Sequence, residues 1–297
     1  MRVLNIEVSD ALLASWQDWL APETQPFFLT KEESADLPPQ TSRPDQPVLR
    51  GIPPTVSELH PLRDTFQVPN VAHNLIPIWL SEEEFTKLPA KLRSRLVRAQ
   101  VDHGRGAVPT VKHWTDLLDE HLLRQQSDGY RFVWWPSLVK IRPTDILQRV
   151  ISDEFPPSRH EDVSAKTWTR CADVLPNARR LSGTFAPHSG PNCFGTVMTA
   201  AGVPNVEELW MFQAPFEQWL AQTATAGGDD QDPGTILVWR NNDGLAIHAA
   251  VTIGDGWVLE KPSQGWLSPR SILPIREVIK AGRKNGVHLK RYAIRSA

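Results

Sequence analysis

The cysteine at position 193 stands where a turn sequence runs into an apolar, helix-like segment. Residues 190–192 read Gly-Pro-Asn, and the segment from Cys193 reads CFGTVMTAAG. A helix amino terminus carries partial positive charge and free amide hydrogens, and both stabilise a thiolate. We therefore predict Cys193 as a nucleophile whose backbone amide binds an oxyanion. The other interpretation, an inert buried thiol, is the one we assign to Cys171.

A nucleophilic thiolate needs a histidine that holds it as an ion pair, and a third polar group that orients the imidazole. His248 lies in the strand-like run LAIHAAVTI, where small neighbours should leave room for a helix beside the ring. If residues 254–256 form a three-residue hairpin loop, His248 and Glu260 become diagonal neighbours on one face, whereas a two-residue loop would separate them. We predict catalytic roles for Cys193, His248 and Glu260, with Gln264 as the alternative orienting group.

The carboxy-terminal half must supply the elements that bring these residues together. Three runs rich in strand-forming residues, TILVW, LAIHAAVTI and WVLEK, are separated by short turn sequences, which predicts an antiparallel meander. VHLKRYAI predicts a last strand. NVEELWMFQAPFEQWLAQTA predicts two short helices that begin near Asn205 and Pro215.

The amino-terminal half, residues 1–160, is predicted as a mostly helical region of unknown role. The sequence EFPPSRHED separates it from a second domain at 161–297. Prolines at 36–70 predict an extended arm without a helix or a central strand. Ser81 is the expected N-cap of a helix through SEEEFTKLPAKLRSRLVRAQ, and residues 87–98 of that helix carry a basic face.

Three stretches, PNCFG, DPGTILVW and HAAVTIGDGWVLE, together resemble the NlpC-type branch of the papain-fold cysteine peptidases. In that family the third catalytic residue lies twelve positions beyond the histidine, as Glu260 does from His248, and the related CHAP amidases use a glutamate after the histidine strand. Asn192 stands where the family has aspartate. The resemblance covers about residues 166–297. It implies an α+β, papain-like domain whose nucleophile helix packs on an antiparallel sheet. The sequence shows no metal-ligand spacing, phosphate-binding glycine loop or dinucleotide-binding motif, so we expect no metal and no cofactor.

The function that the resemblance implies is cleavage or transfer of an amide bond, in a peptidoglycan stem peptide or a related peptide or isopeptide. The second hypothesis is a catalytically inactive binding or assembly module of the same fold, contacting nucleic acid through the basic helix at 87–98. A net charge of -2 gives no reason to expect nucleic acid as a general partner. The oligomeric state is left open.

The first residues, MRVLNIEVSDALLASW, do not read as a secretory signal, because Glu7 and Asp10 interrupt the apolar run. No apolar stretch approaches the roughly 20 residues that span a bilayer, so we expect no membrane partner. These two features predict a cytoplasmic protein, with export by a non-classical route as the alternative.

Overall fold

A computed structural model describes residues 1–37 and 57–295. These residues form helices and antiparallel β-sheets, so the chain belongs to the α+β class, as predicted. Most of the predicted proline-rich arm, residues 38–56, lies outside the described ranges. Across those ranges, none of the helices is both long enough and apolar enough to cross a membrane.

The elements are numbered in chain order. The first described range contains β1 (Arg2–Val3), β2 (Ile6–Glu7), α1 (Asp10–Leu20), β3 (Thr24–Leu29) and α2 (Lys31–Ser34). The next elements are α3 (His60–Thr65), β4 (Ile76–Ser81), α4 (Glu82–Lys87), α5 (Ala90–Asp102), α6 (Glu120–Gln125), α7 (Pro136–Val139) and α8 (Pro143–Ser152). The remainder comprises α9 (Ala165–Ala172), α10 (Ala178–Leu181), β5 (Thr184–Phe185), α11 (Cys193–Ala200), α12 (Gln213–Thr223), β6 (Ala224–Ala226), β7 (Pro233–Arg240), β8 (Ala246–Gly254), β9 (Trp257–Glu260), β10 (Pro269–Pro274), α13 (Ile275–Ala281) and β11 (His288–Ile294).

The chain divides into two compact units, and the second is discontinuous in sequence. Unit 1 comprises Met1 and Ser9–Val150, whereas unit 2 comprises Arg2–Val8 together with Ile151–Ala297. The predicted boundary at 160 therefore falls inside unit 2. The β1–β2 hairpin, which the sequence analysis did not foresee, also belongs to unit 2.

Hydrogen bonds to one residue attach this amino-terminal hairpin to the rest of unit 2. The Ser158 amide donates to the Leu4 carbonyl over 2.9 Å, and the Asn5 side chain donates to the Ser158 carbonyl over 3.1 Å. The Ser158 hydroxyl accepts from the Ile272 amide of β10 over 3.1 Å. Ser158 therefore joins the hairpin to a strand of the main sheet.

Unit 1 is built from helices around the antiparallel pair β3–β4. Its predicted helix begins at Ser81, whose side chain forms the expected capping box with Glu84. The helix is broken, however, because Pro89 favours an extended conformation at Leu88. The predicted basic helix at 87–98 therefore spans the end of α4 and most of α5, rather than one continuous helix.

The basic face of α5 is largely paired within unit 1. Arg95 lies 2.5 Å from the Asp36 carboxylate, and Arg98 lies 3.9 Å from that of Asp128. Lys91 is exposed. Two of these three cations, Arg95 and Arg98, therefore have a carboxylate neighbour, which reduces the electrostatic field that a nucleic acid would meet.

Two further predictions in unit 1 need correction. Residues 57–70, within the predicted extended arm, contain α3 and two 3-10 turns. Proline is compatible with the first turn of a helix, and Pro61 occupies that place in α3. The stretch YRFVWWPSLV does not form a regular strand: Arg131 and Phe132 make isolated bridges, and Pro136 begins α7 instead of ending a strand.

Unit 2 contains a seven-stranded antiparallel sheet in the order β5-β10-β9-β8-β7-β11-β6. The predicted meander forms β7, β8 and β9, and the predicted last strand is β11, which pairs with β7. Helices α11 and α12 share a core with one face of the sheet, and α13 shares a smaller core with the other face. In place of the first of the two predicted helices, residues 204–209 form turns, because Asn205 adopts a left-handed backbone with φ of 60°.

The β8–β9 hairpin has the predicted register but a different turn. Val251 pairs with Leu259, as a three-residue loop would require. Asp255 and Gly256 alone form the turn, with φ of 52° and 77°. A register shift before Gly254 adds the extra residue on β8. The irregularity therefore preserves a pairing that a plain two-residue turn would have lost.

On the face of the sheet opposite α11, the backbone of Gly282 lies very close to the Trp239 side chain. Trp239 of β7 and Val278 of α13 pack in the same hydrophobic core. Gly282 follows α13, and a Cβ atom at that position would overlap the Trp239 indole. A side chain at position 282 would therefore force Trp239 to move.

We expect Gly282→Ala to lower the free energy of unfolding by about 1–3 kcal/mol, because overpacking a filled site displaces its neighbours. Urea unfolding followed by circular dichroism measures the change. Arg283→Ala, at the next exposed position, is the matched control and should leave the midpoint unchanged. Equal midpoints for both variants would contradict the packing argument.

Candidate active site

Helix α11 begins at Cys193, as predicted, and all of its eight residues are buried. Asn192 is the N-cap: its side-chain oxygen accepts a hydrogen bond from the Gly195 amide over 3.1 Å. Within the described residues, the Cys193 amide makes no hydrogen bond, as expected for the first residue of a helix. The thiol therefore lies at the positive end of the helix beside a free donor.

The Asn192 side chain also forms a second hydrogen bond, which requires the amide nitrogen. Its nitrogen donates to the Met211 carbonyl over 2.7 Å, which ties the helix start to the segment before α12. That segment passes close to α11, since a Cβ on Gly195 would meet the Val206 carbonyl at 3.0 Å. An aspartate could cap the helix but could not donate to a carbonyl, and it would add negative charge beside the thiol.

We expect Asn192→Asp to slow alkylation of Cys193 by iodoacetamide at pH 7, because a neighbouring carboxylate disfavours the thiolate. Asn192→Ser keeps a capping oxygen without the negative charge and should slow the reaction less. Peptide mapping by mass spectrometry gives the rate at Cys193. Faster alkylation in Asn192→Asp than in Asn192→Ser would contradict this account of the cap.

The three predicted site residues converge in unit 2. The His248 imidazole interacts with the side chains of both Cys193 and Glu260. Its Nε2 atom lies 3.8 Å from a Glu260 oxygen, and the side chains of His248 and Glu260 are 22% and 9% exposed.

The electrostatics of His248 favour the charged imidazolium. Burial acts to lower the pKa of His248, but attraction and hydrogen bonding to Cys193, followed by those to Glu260, outweigh it and raise the pKa from 6.5 to about 10. A charged ring near neutral pH can hold a thiolate and can later donate a proton.

The raised pKa of His248 implies a pH-dependent contribution to stability. A folded-state pKa above the unfolded value stabilises the fold fully below about pH 6.5, and this contribution is lost as the pH rises through about 10. We expect the stability advantage of the wild type over His248→Gln to shrink between these two pH values. Urea unfolding of both proteins at pH 6.5, 8 and 10 measures it, and a constant or growing difference would contradict the assignment.

Of the two proposed orienting groups, the structure brings Glu260 to the imidazole. Gln264 instead lies in the loop after β9, where its backbone carbonyl accepts from the Gly190 amide over 2.9 Å. The fully buried Lys261 binds the Gly265 and Ser268 carbonyls over 3.3 and 2.8 Å and so stabilises this loop. The loop therefore packs against the turn that precedes Cys193.

The surroundings of His248 differ from the predicted ones. Helix α11 shares its core with Ala249 and Val251, whereas Ala250, on the face of His248, packs in the core that contains α13. Leu245 and Ile247 are half-exposed, beside an irregularity in the β7–β8 pairing. The ring instead lies against Trp239, with centroids 5.1 Å apart.

The second cysteine contrasts with the first. Cys171 is buried in α9, and burial raises the pKa of its thiol to about 12. A thiol of that kind stays protonated at neutral pH and reacts slowly. Cys171 therefore fits the inert role that the sequence predicts.

Sequence reasoning did not recognise what Asn192 and Lys261 contribute. The N-cap role of Asn192 was open to detection, because asparagine before an apolar helix is a common start signal. The bond from Asn192 to Met211 and the burial of Lys261 depend on tertiary packing and leave no local pattern.

No protein-family model matches the chain, and neither the curated proteins nor the solved structures give a match. Among the residues that the structure describes, no group of three or more His, Cys, Asp or Glu side chains could hold a metal ion.

Proposed function

We propose that unit 2 is a papain-like cysteine hydrolase or acyltransferase that acts on an amide bond through Cys193, His248 and Glu260. One observation carries the proposal: a thiol at the first residue of a helix interacts with an imidazole that also faces a carboxylate. Nucleophile, base and orienting group in this order form the arrangement that acyl transfer requires.

The geometry suggests a role for each group in the reaction. The Cys193 thiolate attacks the substrate carbonyl carbon, and the carbonyl electron pair moves to oxygen, where the Cys193 amide hydrogen can stabilise it. His248 donates its proton to the departing amine as the carbon–nitrogen bond breaks and a thioester forms. The neutral imidazole then takes a proton from water, or from an acceptor amine, as that nucleophile releases the acyl group.

The NlpC-type resemblance gives the proposal its substrate class. The register of the β8–β9 hairpin and the helix start at Cys193 support the resemblance, because both place motif residues in the expected elements. A peptide or isopeptide, including a peptidoglycan-type stem peptide, is the substrate that we propose. The alternative, an inactive binding module, gains no support from the basic face of α5, where two of the three cations have carboxylate neighbours.

We expect p-nitrophenyl acetate to acetylate Cys193 with release of p-nitrophenol, because an activated ester needs only the thiolate and a site for the oxyanion. Absorbance gives the rate, and peptide mapping identifies the acetylated residue. His248→Ala should slow the reaction at pH 7 by roughly 30-fold, because without the imidazolium a thiol of ordinary pKa, about 8.5, is only a few per cent thiolate.

Two cysteine variants complete the design. Cys193→Ala should abolish acetylation, and Cys171→Ala should leave the rate unchanged because burial keeps that thiol protonated. Two results would contradict the catalytic proposal and favour the binding module. One is acetylation of both cysteines, and the other is an acetylation rate at Cys193 that does not change in His248→Ala.

A further inference from the structure

Strand β10 places one buried hydroxyl beside the candidate site. Ser271 pairs directly with Glu260 across the β9–β10 ladder. Directly opposed residues of antiparallel strands project from the same face, with Cβ atoms about 4.5–5.5 Å apart. Ser271 therefore lies on the face of the sheet that carries the Glu260 carboxylate.

The Ser271 hydroxyl is buried without a hydrogen-bond partner in the described part of the chain. The residue is 2% exposed, and its oxygen makes no hydrogen bond. A buried polar group without a hydrogen bond is destabilising, and such groups are few in folded proteins. A serine at this position therefore calls for a function that alanine could not perform.

The Glu260 carboxylate, in turn, lacks hydrogen-bond donors within the described ranges. Apart from its interaction with His248, the Glu260 carboxylate receives no hydrogen bond from the described residues, although its side chain is only 9% exposed. A carboxylate has about four sites that accept hydrogen bonds. The charged or titratable groups that act on His248 itself are Cys193 from α11 and Glu260 from β9.

We infer that Ser271 is a positioning residue whose hydroxyl donates a hydrogen bond to the Glu260 carboxylate and so holds it against Nε2 of His248. The inference rests on the proposed function. Serine has three staggered side-chain rotamers, and rotation about one bond redirects the hydroxyl without moving the strand. The second oxygen of the carboxylate remains for the imidazole, whose 3.8 Å separation from it can shorten when substrate binds.

The test compares Ser271→Ala with Thr199→Val, which removes another buried hydroxyl without a partner at the far end of α11. Loss of an unpartnered hydroxyl should leave Thr199→Val as stable as the wild type, whereas Ser271→Ala, which loses a hydrogen bond to a charged group, should be less stable. For Ser271→Ala we expect p-nitrophenyl acetate to acylate Cys193 about tenfold more slowly, as for loss of a hydrogen bond to a charged group. Thr199→Val should react at the wild-type rate.

A readout that needs no activity is the NMR titration of His248. Without the Ser271 hydroxyl, Glu260 is held less firmly against the imidazolium, so the pKa of His248 should fall by about one pH unit. Ser271→Thr retains the hydroxyl and should restore both the rate and the titration. It also keeps the inference testable if Ser271→Ala does not fold.

A double-mutant cycle shows whether Ser271 acts through Glu260. In a Glu260→Gln background, the further change Ser271→Ala should alter the acylation rate less than twofold. A full tenfold effect in that background, or an unchanged His248 titration in Ser271→Ala, would overturn the inference. If the wild type does not acetylate at all, the proposed function fails, while the titration still decides whether Ser271 positions Glu260.

Discussion

The candidate site of unit 2 depends on holding a positive charge at a position that is largely withdrawn from water. An imidazolium removed from water is costly unless opposite charge and hydrogen bonds compensate it. His248 receives both from two directions, the thiol of Cys193 and the carboxylate of Glu260, and its pKa rises despite burial. Each compensating group comes from a different element, so the arrangement at His248 requires that α11, β8 and β9 be placed correctly together.

Two local devices secure that placement. The Asn192 side chain bonds both the helix it caps and the segment before α12, so the start of α11 cannot shift independently of its neighbour. The irregularity before Gly254 sets which residue of β9 faces His248. A one-residue slip would send Glu260 to the opposite face of the sheet and leave the imidazolium with one partner. Small features of cap and turn therefore control the charge balance of the site.

Local signals in the sequence were sufficient for the site residues and the strands that carry them. The Gly-Pro-Asn turn before an apolar run predicts the helix start, and runs of strand-forming residues with short turns predict β7, β8 and β9. The turn between β8 and β9 could not be predicted, because an added residue in the strand and a third loop residue give the same pairing. The local sequence pattern also could not predict the face of the sheet on which α11 packs. Small residues beside His248 are equally compatible with a neighbouring helix and with the Trp239 ring. In unit 1, Pro89 was visible in the sequence, but the periodic leucines around it concealed the break.

The discontinuity of unit 2 has a consequence for how the molecule is made. The β1–β2 hairpin is synthesised before nearly all of unit 1, yet its partner Ser158 follows only after unit 1 is complete. On the ribosome the hairpin must therefore wait for that domain to emerge before it can dock. In sequence, unit 1 is thus an insertion between the β1–β2 hairpin and the rest of unit 2. Excising it would mean joining residue 8 to residue 151, because a fragment that simply starts at 151 would lack the hairpin that Ser158 binds.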